Sequence, residues 1–365
     1  MIKKLLAGLS LVSLMVLGAG PALAQGGVPT LKVGYIFTTN HTPFIAAMSE
    51  GEKLTVGGYA LSPVIPKEKY KLLKDGQPVA ILDIVVAKSG SEVSTLFAQG
   101  HLDISLGSIT AIIAGIDKGV PMKIVAPVVL VSGGLVVGKD SGLSTWVEFI
   151  AMVKEAKEPV KVGYHSPTSA PLIITESALR SEGLTISRNP NDTNAQVIMV
   201  DLKETSNMLP ALISKQVDAV TGPAPFPQTA VVKDSGRFIT ELRDMPPAGR
   251  WTDYPCCVVA ASDKLIADNP ALLRDFVTFI TAFNAWSNEN NEQAGIIAAK
   301  WLGLSEEVGR TLKQTFVPAF SDKWKEAAAG YMEVLNGAGY FKGSLKDKTF
   351  TEAEGLLLDE SFISK

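Results

Sequence analysis

From residue 31 onward, short apolar runs alternate with stretches of helical periodicity. Leu31–Phe37, Val79–Val86, Leu102–Leu106 and Met122–Val128 read as strands. Between them, Pro43–Met48 starts one helix, and Ser91–Gln99 and Thr110–Lys118 form two more. A second series follows. Its helices are Ser144–Lys157, Ala170–Ser181, Thr205–Lys215 and Pro227–Lys233, and its strands are Val160–Tyr164, Val197–Asp201, Asp218–Thr221 and Arg237–Leu242. After one more apolar strand at Val258–Ala261 the pattern turns helical. Asn269-Pro270 opens a long helix, and others run near 292–302, 305–315 and 321–336, the last ended by Asn336-Gly337.

This alternation builds β-α-β units with right-handed crossovers. It predicts an α/β fold of two lobes, each a mostly parallel sheet flanked by helices, with a helical C-terminal extension. Residues 25–130 with 259–365 are expected to form the first lobe and 131–258 the second. Val129–Val137 and Pro255–Ala261 would be the hinge segments that cross between them. Gly133-Gly134 on the first crossing would give that hinge room to flex. Residues 50–78, marked by Gly57-Gly58, Pro63 and Pro66, are longer than an ordinary connection and read as a surface excursion.

The first 24 residues are of another kind. Lys3 and Lys4 precede an apolar run from Leu5 to Leu17, Gly18 to Pro21 breaks it, and Ala22-Leu23-Ala24 supplies small residues before Gln25. That is the layout of a secretory signal cleaved after Ala24. The run falls short of the ~20 apolar residues a membrane span needs.

Composition narrows the function classes. With 46% hydrophobic and 19% charged residues, disorder is excluded. A net charge of −3 argues against a nucleic-acid partner. Two cysteines exclude a disulfide-dense scaffold, and three histidines limit any metal site built on them.

In open α/β sheets ligands sit beyond the carboxyl ends of the strands, so four strand-end loops should face an interlobe cleft. They carry Thr38, Thr39, Asn40 and His41; Gly107, Ser108 and Thr110; His165, Ser166, Thr168 and Ser169; and Gly222 with Pro223. Ser132 and Cys256 on the crossings, with Tyr254 just before the second, complete the candidate ligand-binding set. Ser and Thr ahead of helices cap them, and they also present hydroxyls beside free backbone donors that attract anions. These loops hold no Lys or Arg; the nearest candidate cation is Arg250. Cys256-Cys257 admits two readings, a strained vicinal disulfide or a reduced, half-buried pair. No nucleophile elbow, phosphate-binding loop or zinc-protease motif is present, so no catalytic residue, metal or cofactor is expected.

The ordered segments Val33-Gly34-Tyr35 with His41-Thr42-Pro43, Leu96 to Asp103, Gly107-Ser108 through Gly119 to Ala126, and Lys161 to Tyr164 with Ser166-Pro167 resemble one family. It is that of the periplasmic solute-binding proteins of ABC importers, in the nitrate/sulfonate/taurine, NMT1-like group. The resemblance covers most of residues 31–340. It implies a type II periplasmic binding fold and a monomer that closes on a small solute, either an anion such as nitrate, sulfonate or bicarbonate or a small heterocycle. The solute would be delivered to permease subunits. Alternative readings are an enzyme similar to thiamine pyrimidine synthase, using Cys256 or Cys257, and a periplasmic ligand sensor.

Overall fold

The computed structural model describes residues 27–363; the expected leader lies outside the described residues. Strand β1 (Thr30–Ile36) is the parallel partner of β4 (Gln77–Ala87) on one side and β5 (Ile104–Ser108) on the other. To these are added β2 (Tyr59–Ile65), β3 (Lys69–Lys74), β6 (Met122–Leu130) and β13 (Pro255–Ser262), in the order β2-β3-β4-β1-β5-β13-β6. A second sheet holds β7 (Gly133–Gly138), β8 (Val160–Tyr164), β9 (Ile186–Ser187), β10 (Val197–Asp201), β11 (Ala219–Pro223) and β12 (Gly236–Glu241), ordered β12-β7-β11-β8-β10-β9.

The connecting helices of the first sheet are α1 (Thr42–Glu50), α2 (Gly90–Ala98) and α3 (Ile109–Asp117). Those of the second are α4 (Trp146–Glu155), α5 (Ala170–Ser181), α6 (Met208–Ile213) and α7 (Phe226–Val232). The tail supplies α8 (Asp263–Asp268), α9 (Pro270–Glu289), α10 (Asn291–Trp301), α11 (Glu306–Thr311), α12 (Asp322–Gly337) and α13 (Phe350–Leu357). Phe44 of α1 meets Phe276 and Phe279 of α9 edge-on at 6.1 and 6.2 Å, an aromatic seam that fixes the tail helices against the first sheet.

Four expectations are corrected. Residues 50–78 are no surface excursion. Most of this stretch forms the edge hairpin β2–β3, whose Tyr59, Ala60, Leu61, Tyr70, Leu72 and Leu73 are buried, while the far end of β2 from Pro63 to Ile65 is exposed. The first sheet is therefore mixed rather than mostly parallel, since the hairpin and β13 run antiparallel to their neighbours. Pro255–Ala261 does not cross between sheets but runs inside the first, paired with β5 and β6. Only Val131 and Ser132 separate β6 from β7.

Gly133-Gly134 is also not a loose hinge. A Cβ at Gly133, held at φ +107°, would approach the Gly222 carbonyl oxygen to 2.2 Å; one at Gly134 would meet Phe238 and the Thr240 carbonyl at the same distance. These glycines let three strands of the second sheet come together.

Candidate functional site

The loops that follow the parallel strands of each sheet meet. Thr38, just past β1, takes an extended backbone and accepts a bond from the Asn40 amide, capping a short 3-10 turn. Its hydroxyl donates to the carbonyl of Ala224, after β11, at 2.7 Å. Thr110, in the first turn of α3, donates to the carbonyl of Thr168, after β8, at 2.6 Å, and its oxygen also lies 2.9 Å from the Ser108 hydroxyl. Ser91 of α2 lies 3.2 Å from the Ser166 hydroxyl and 3.1 Å from that of Thr168. Ser169 turns inward on its own loop, donating to the Ser166 carbonyl.

A second cluster gathers on Asn40. Its Oδ1 accepts from the Ser132 hydroxyl at 2.8 Å and from Gln314 Nε2 at 2.7 Å, and its Nδ2 donates to Cys256 Sγ at 3.2 Å. One side chain thus joins the loop after β1, the link into the second sheet, β13 and the tail. Tyr254 packs edge-on against Trp251 at 4.6 Å and Tyr331 at 4.9 Å. Both cysteines are buried, with free thiols whose sulfurs lie 3.7 Å apart. Register shifts on either side of Cys257 in the pairing of β13 with β6 accompany this juxtaposition of neighbouring side chains. Burial and the Cys256 contact push the Cys257 thiol well above its usual range, the Cys256 hydrogen bond being the larger cause.

Two histidines stand at this junction, one on each side. His41 is fully buried; its Nδ1 is engaged by the Ile36 backbone at 3.1 Å, and its Nε2 has no partner. Desolvation pulls its pKa down to about 3, against a smaller opposing effect of the Ile36 hydrogen bond. His165 is buried with Nδ1 unpartnered, and desolvation lowers its pKa to about 4, opposed by the charge of Asp201. Both imidazoles are neutral at pH 7. Thr39 Oγ1 is a third buried polar atom without a partner here. Such groups are costly in a folded protein unless something else bonds them.

Of the candidate residues, Thr38, Asn40, Thr110, Ser132, Ser166, Thr168 and Cys256 are drawn into contacts between distant segments. Gly107 and Gly222 are strand positions packed within their own sheets, Gly107 opposite Val258 and Gly222 opposite Gly134; Pro223 faces Gly133. Arg250 lies with its guanidinium 5.1 Å from the Trp251 ring centre, a stacking arrangement. Ser91, Gln314 and Tyr331 are additions. A signal existed for Ser91, since Ala87–Ser91 is one more strand-end loop; Gln314 sits in the helical tail, where nothing local marks it.

Beside the Thr38–Ala224 contact opens a groove of about 380 Å³. Its walls come from both sheets: Ile36, Phe37, Val86, Ala87 and Lys88 face Glu204, Thr205, Ser206, Leu209, Pro225, Phe226 and Thr229, with Leu302 and Leu304 of the tail closing it. Among the described residues no group of three or more His, Cys, Asp or Glu side chains is placed to hold a metal ion, and no helix is long and apolar enough to cross a membrane.

The model of the NMT1-like family matches residues 24–303. An uncharacterised protein of Methanocaldococcus jannaschii is 32% identical over 118 residues, which is 32% of this chain and 81% of that one. The fold is similar to that of the ligand-binding component of an ABC-type import system from Staphylococcus aureus, solved with zinc bound (TM-score 0.68, 13% identity, covering 92% of this chain and 98% of that one). It is also similar to the periplasmic nitrate-binding protein NrtA from Synechocystis PCC 6803 (0.66, 15%, 92% and 87%). A third is the alkanesulfonate-binding protein SsuA from Xanthomonas axonopodis pv. citri bound to MOPS (0.64, 12%, 87% and 96%). At these identities the likeness is one of fold.

Proposed function

We propose, from the premise that the chain belongs to the NMT1-like family, that it is the solute-binding component of an ABC importer. It would work in the periplasm as a monomer, after cleavage of its leader following Ala24. On this reading the units built on the two sheets are lobes. Residues 25–130 and 259–365 make one and 131–258 the other, with the second boundary drawn back to Tyr254 because β13 pairs inside the first sheet. The lobes close on a small solute and the closed form is what permease subunits receive.

The observation that carries the reading is the set of hydrogen bonds between loops of the two sheets, Thr38 to Ala224 and Thr110 to Thr168, with the Ser91–Ser166 contact beside them. These loops leave the carboxyl ends of their strands, where α/β folds bind ligands. The unpartnered atoms of Thr39, His41 and His165 are the hydrogen-bonding capacity left for a solute. That the three similar structures are binding proteins, one of them the ligand-binding component of an ABC-type import system, supports binding rather than catalysis.

Thermal unfolding of the mature protein against nitrate, bicarbonate, methanesulfonate and pyrimidines tests it. A ligand at a hundredfold its Kd stabilises the native state by about 2.7 kcal/mol. Solution scattering should register a smaller radius of gyration with that ligand. Folded protein that responds to no small solute would overturn the reading.

A further inference from the structure

Resting on the reading of a solute held between the sheets, we infer that this solute is an uncharged organic molecule whose apolar body lies in the groove between Phe37 and Phe226. Three observations carry this. First, the groove is built from both sides and is mainly apolar: Phe37, Val86, Leu209, Phe226, Leu302 and Leu304 line it. Phe37 is 41% and Val86 51% exposed, more than large apolar side chains at a strand end need to be unless something covers them. Its volume of about 380 Å³ lies in the range of pockets for organic ligands and is more than ten times the ~30 Å³ a water occupies. An inorganic oxyanion would leave it nearly empty. The groove's two charged residues, Lys88 and Glu204, have opposite signs and come one from each unit.

Second, the polar junction beside the groove is made of neutral groups. Thr38, Asn40, Ser91, Ser132, Thr168 and Gln314 form its network, and neither Lys nor Arg takes part. His41 and His165 stay uncharged there, as their burial requires. A fully desolvated anion in such a place would lack a compensating charge.

Third, part of the donor set an oxyanion would use without a cation is missing, and the unpartnered atoms that remain, on Thr39, His41 and His165, belong to neutral side chains. Helices α1, α5 and α7 each carry a proline in the first two positions, Pro43, Pro171 and Pro227, which removes a backbone N–H from the turn where anions bind. The hydroxyl protons of Thr38 and Thr110 are already given to backbone carbonyls.

The test is thermal unfolding and calorimetry of the mature protein with primary amides of growing apolar size (acetamide, butanamide, hexanamide, benzamide) beside nitrate, bicarbonate and methanesulfonate at fixed ionic strength. The amides should bind, with affinity rising about fourfold for each added methylene. Phe37→Ser, at an exposed position of the groove wall, should weaken hexanamide about tenfold and acetamide far less. Leu209→Ala, on the facing wall, should act in the same direction, with its unfolding midpoint checked because Leu209 also packs on the second sheet's core. If the anions bind, the amides do not, and Phe37→Ser has no effect, the inference falls while solute capture stands. If neither series binds, both fall together.

Discussion

Thr110 donates its hydroxyl to the carbonyl of Thr168 at 2.6 Å, tying the start of α3 in the first sheet's unit to the loop after β8 in the second. The two residues are 58 positions apart, and no repeat or motif links them. Both were legible as cleft candidates because each follows a parallel strand. Thr110→Val keeps the shape and removes the donor, leaving a carbonyl without its partner. One such bond is worth about 1 kcal/mol. On the proposed reading of two lobes that close on a solute, the substitution should therefore shift the balance about fivefold toward an open form, seen in scattering as a larger radius of gyration at sub-saturating ligand. An unchanged radius would mean that this bond does not govern closure.

Asn40 carries a larger share of the junction. Asn40→Ala removes the acceptor for Ser132 and Gln314 and the donor to Cys256 together, leaving buried polar atoms behind. A loss of about 1–3 kcal/mol in urea unfolding is expected. Ser132→Ala, which removes one donor from a still-connected network, should cost about 1 kcal/mol or less. Equal losses for the two would contradict the central place of Asn40.

The histidines set a pH dependence. In the unfolded chain each titrates near 6.5; in the folded protein His41 does so at about 3 and His165 at about 4. Because the folded-state values are depressed, the unfolded chain takes up protons first as pH falls. Their contribution is present above pH 6.5 and is lost progressively below it. Between pH 6.5 and 5 each should cost about 2 kcal/mol. Urea midpoints at pH 7 and pH 5 measure this, and the His41→Gln, His165→Gln double variant should flatten the slope. A slope that survives in the double variant would assign it to carboxylates instead.

The thiols offer a separate check. Cys256 and Cys257 are 2% and 4% exposed, and the Cys257 pKa is raised. The thiolate is the reactive form. A thiol reagent at pH 8 should therefore leave the native protein nearly unmodified and titrate both groups after unfolding in guanidinium. Rapid modification of the folded protein would mean that the junction opens far more often than its packing implies.

The strand and helix alternation was readable because its periods are local, and so were the strand-end loops. What escaped was decided by partners remote in sequence. Pro255–Ala261 looks like any apolar strand, and nothing in it tells that β5 and β6 flank it in the first sheet. Tyr59–Ile65 and Lys69–Lys74 contain Pro63 and several lysines, marks of an edge strand that equally suit a loop. Gln314 reaches Asn40 from 274 positions away.

Gly133 makes the last of these points testable. Read as sequence, Gly133-Gly134 near a crossing suggests flexibility. In the fold, Gly133 holds φ +107° with β11 backbone pressed against it, so a Cβ would lie 2.2 Å from the Gly222 oxygen and 2.7 Å from Pro223 Cα. Backbone cannot yield as a flexible side chain can. Gly133→Ala therefore combines left-handed strain with a clash and should cost several times the ~1 kcal/mol typical of a point substitution. Gly138, at the far end of the same strand, has φ −59° and nothing within 4 Å of the position of an added Cβ. There alanine should be neutral or stabilise by about 0.4–1 kcal/mol through the unfolded chain. Urea unfolding of the two variants side by side separates the explanations. If flexibility is the role of Gly133, both alanines will be tolerated alike and only ligand-induced closure will slow; if close packing is the role, Gly133→Ala alone will lose stability, with or without ligand.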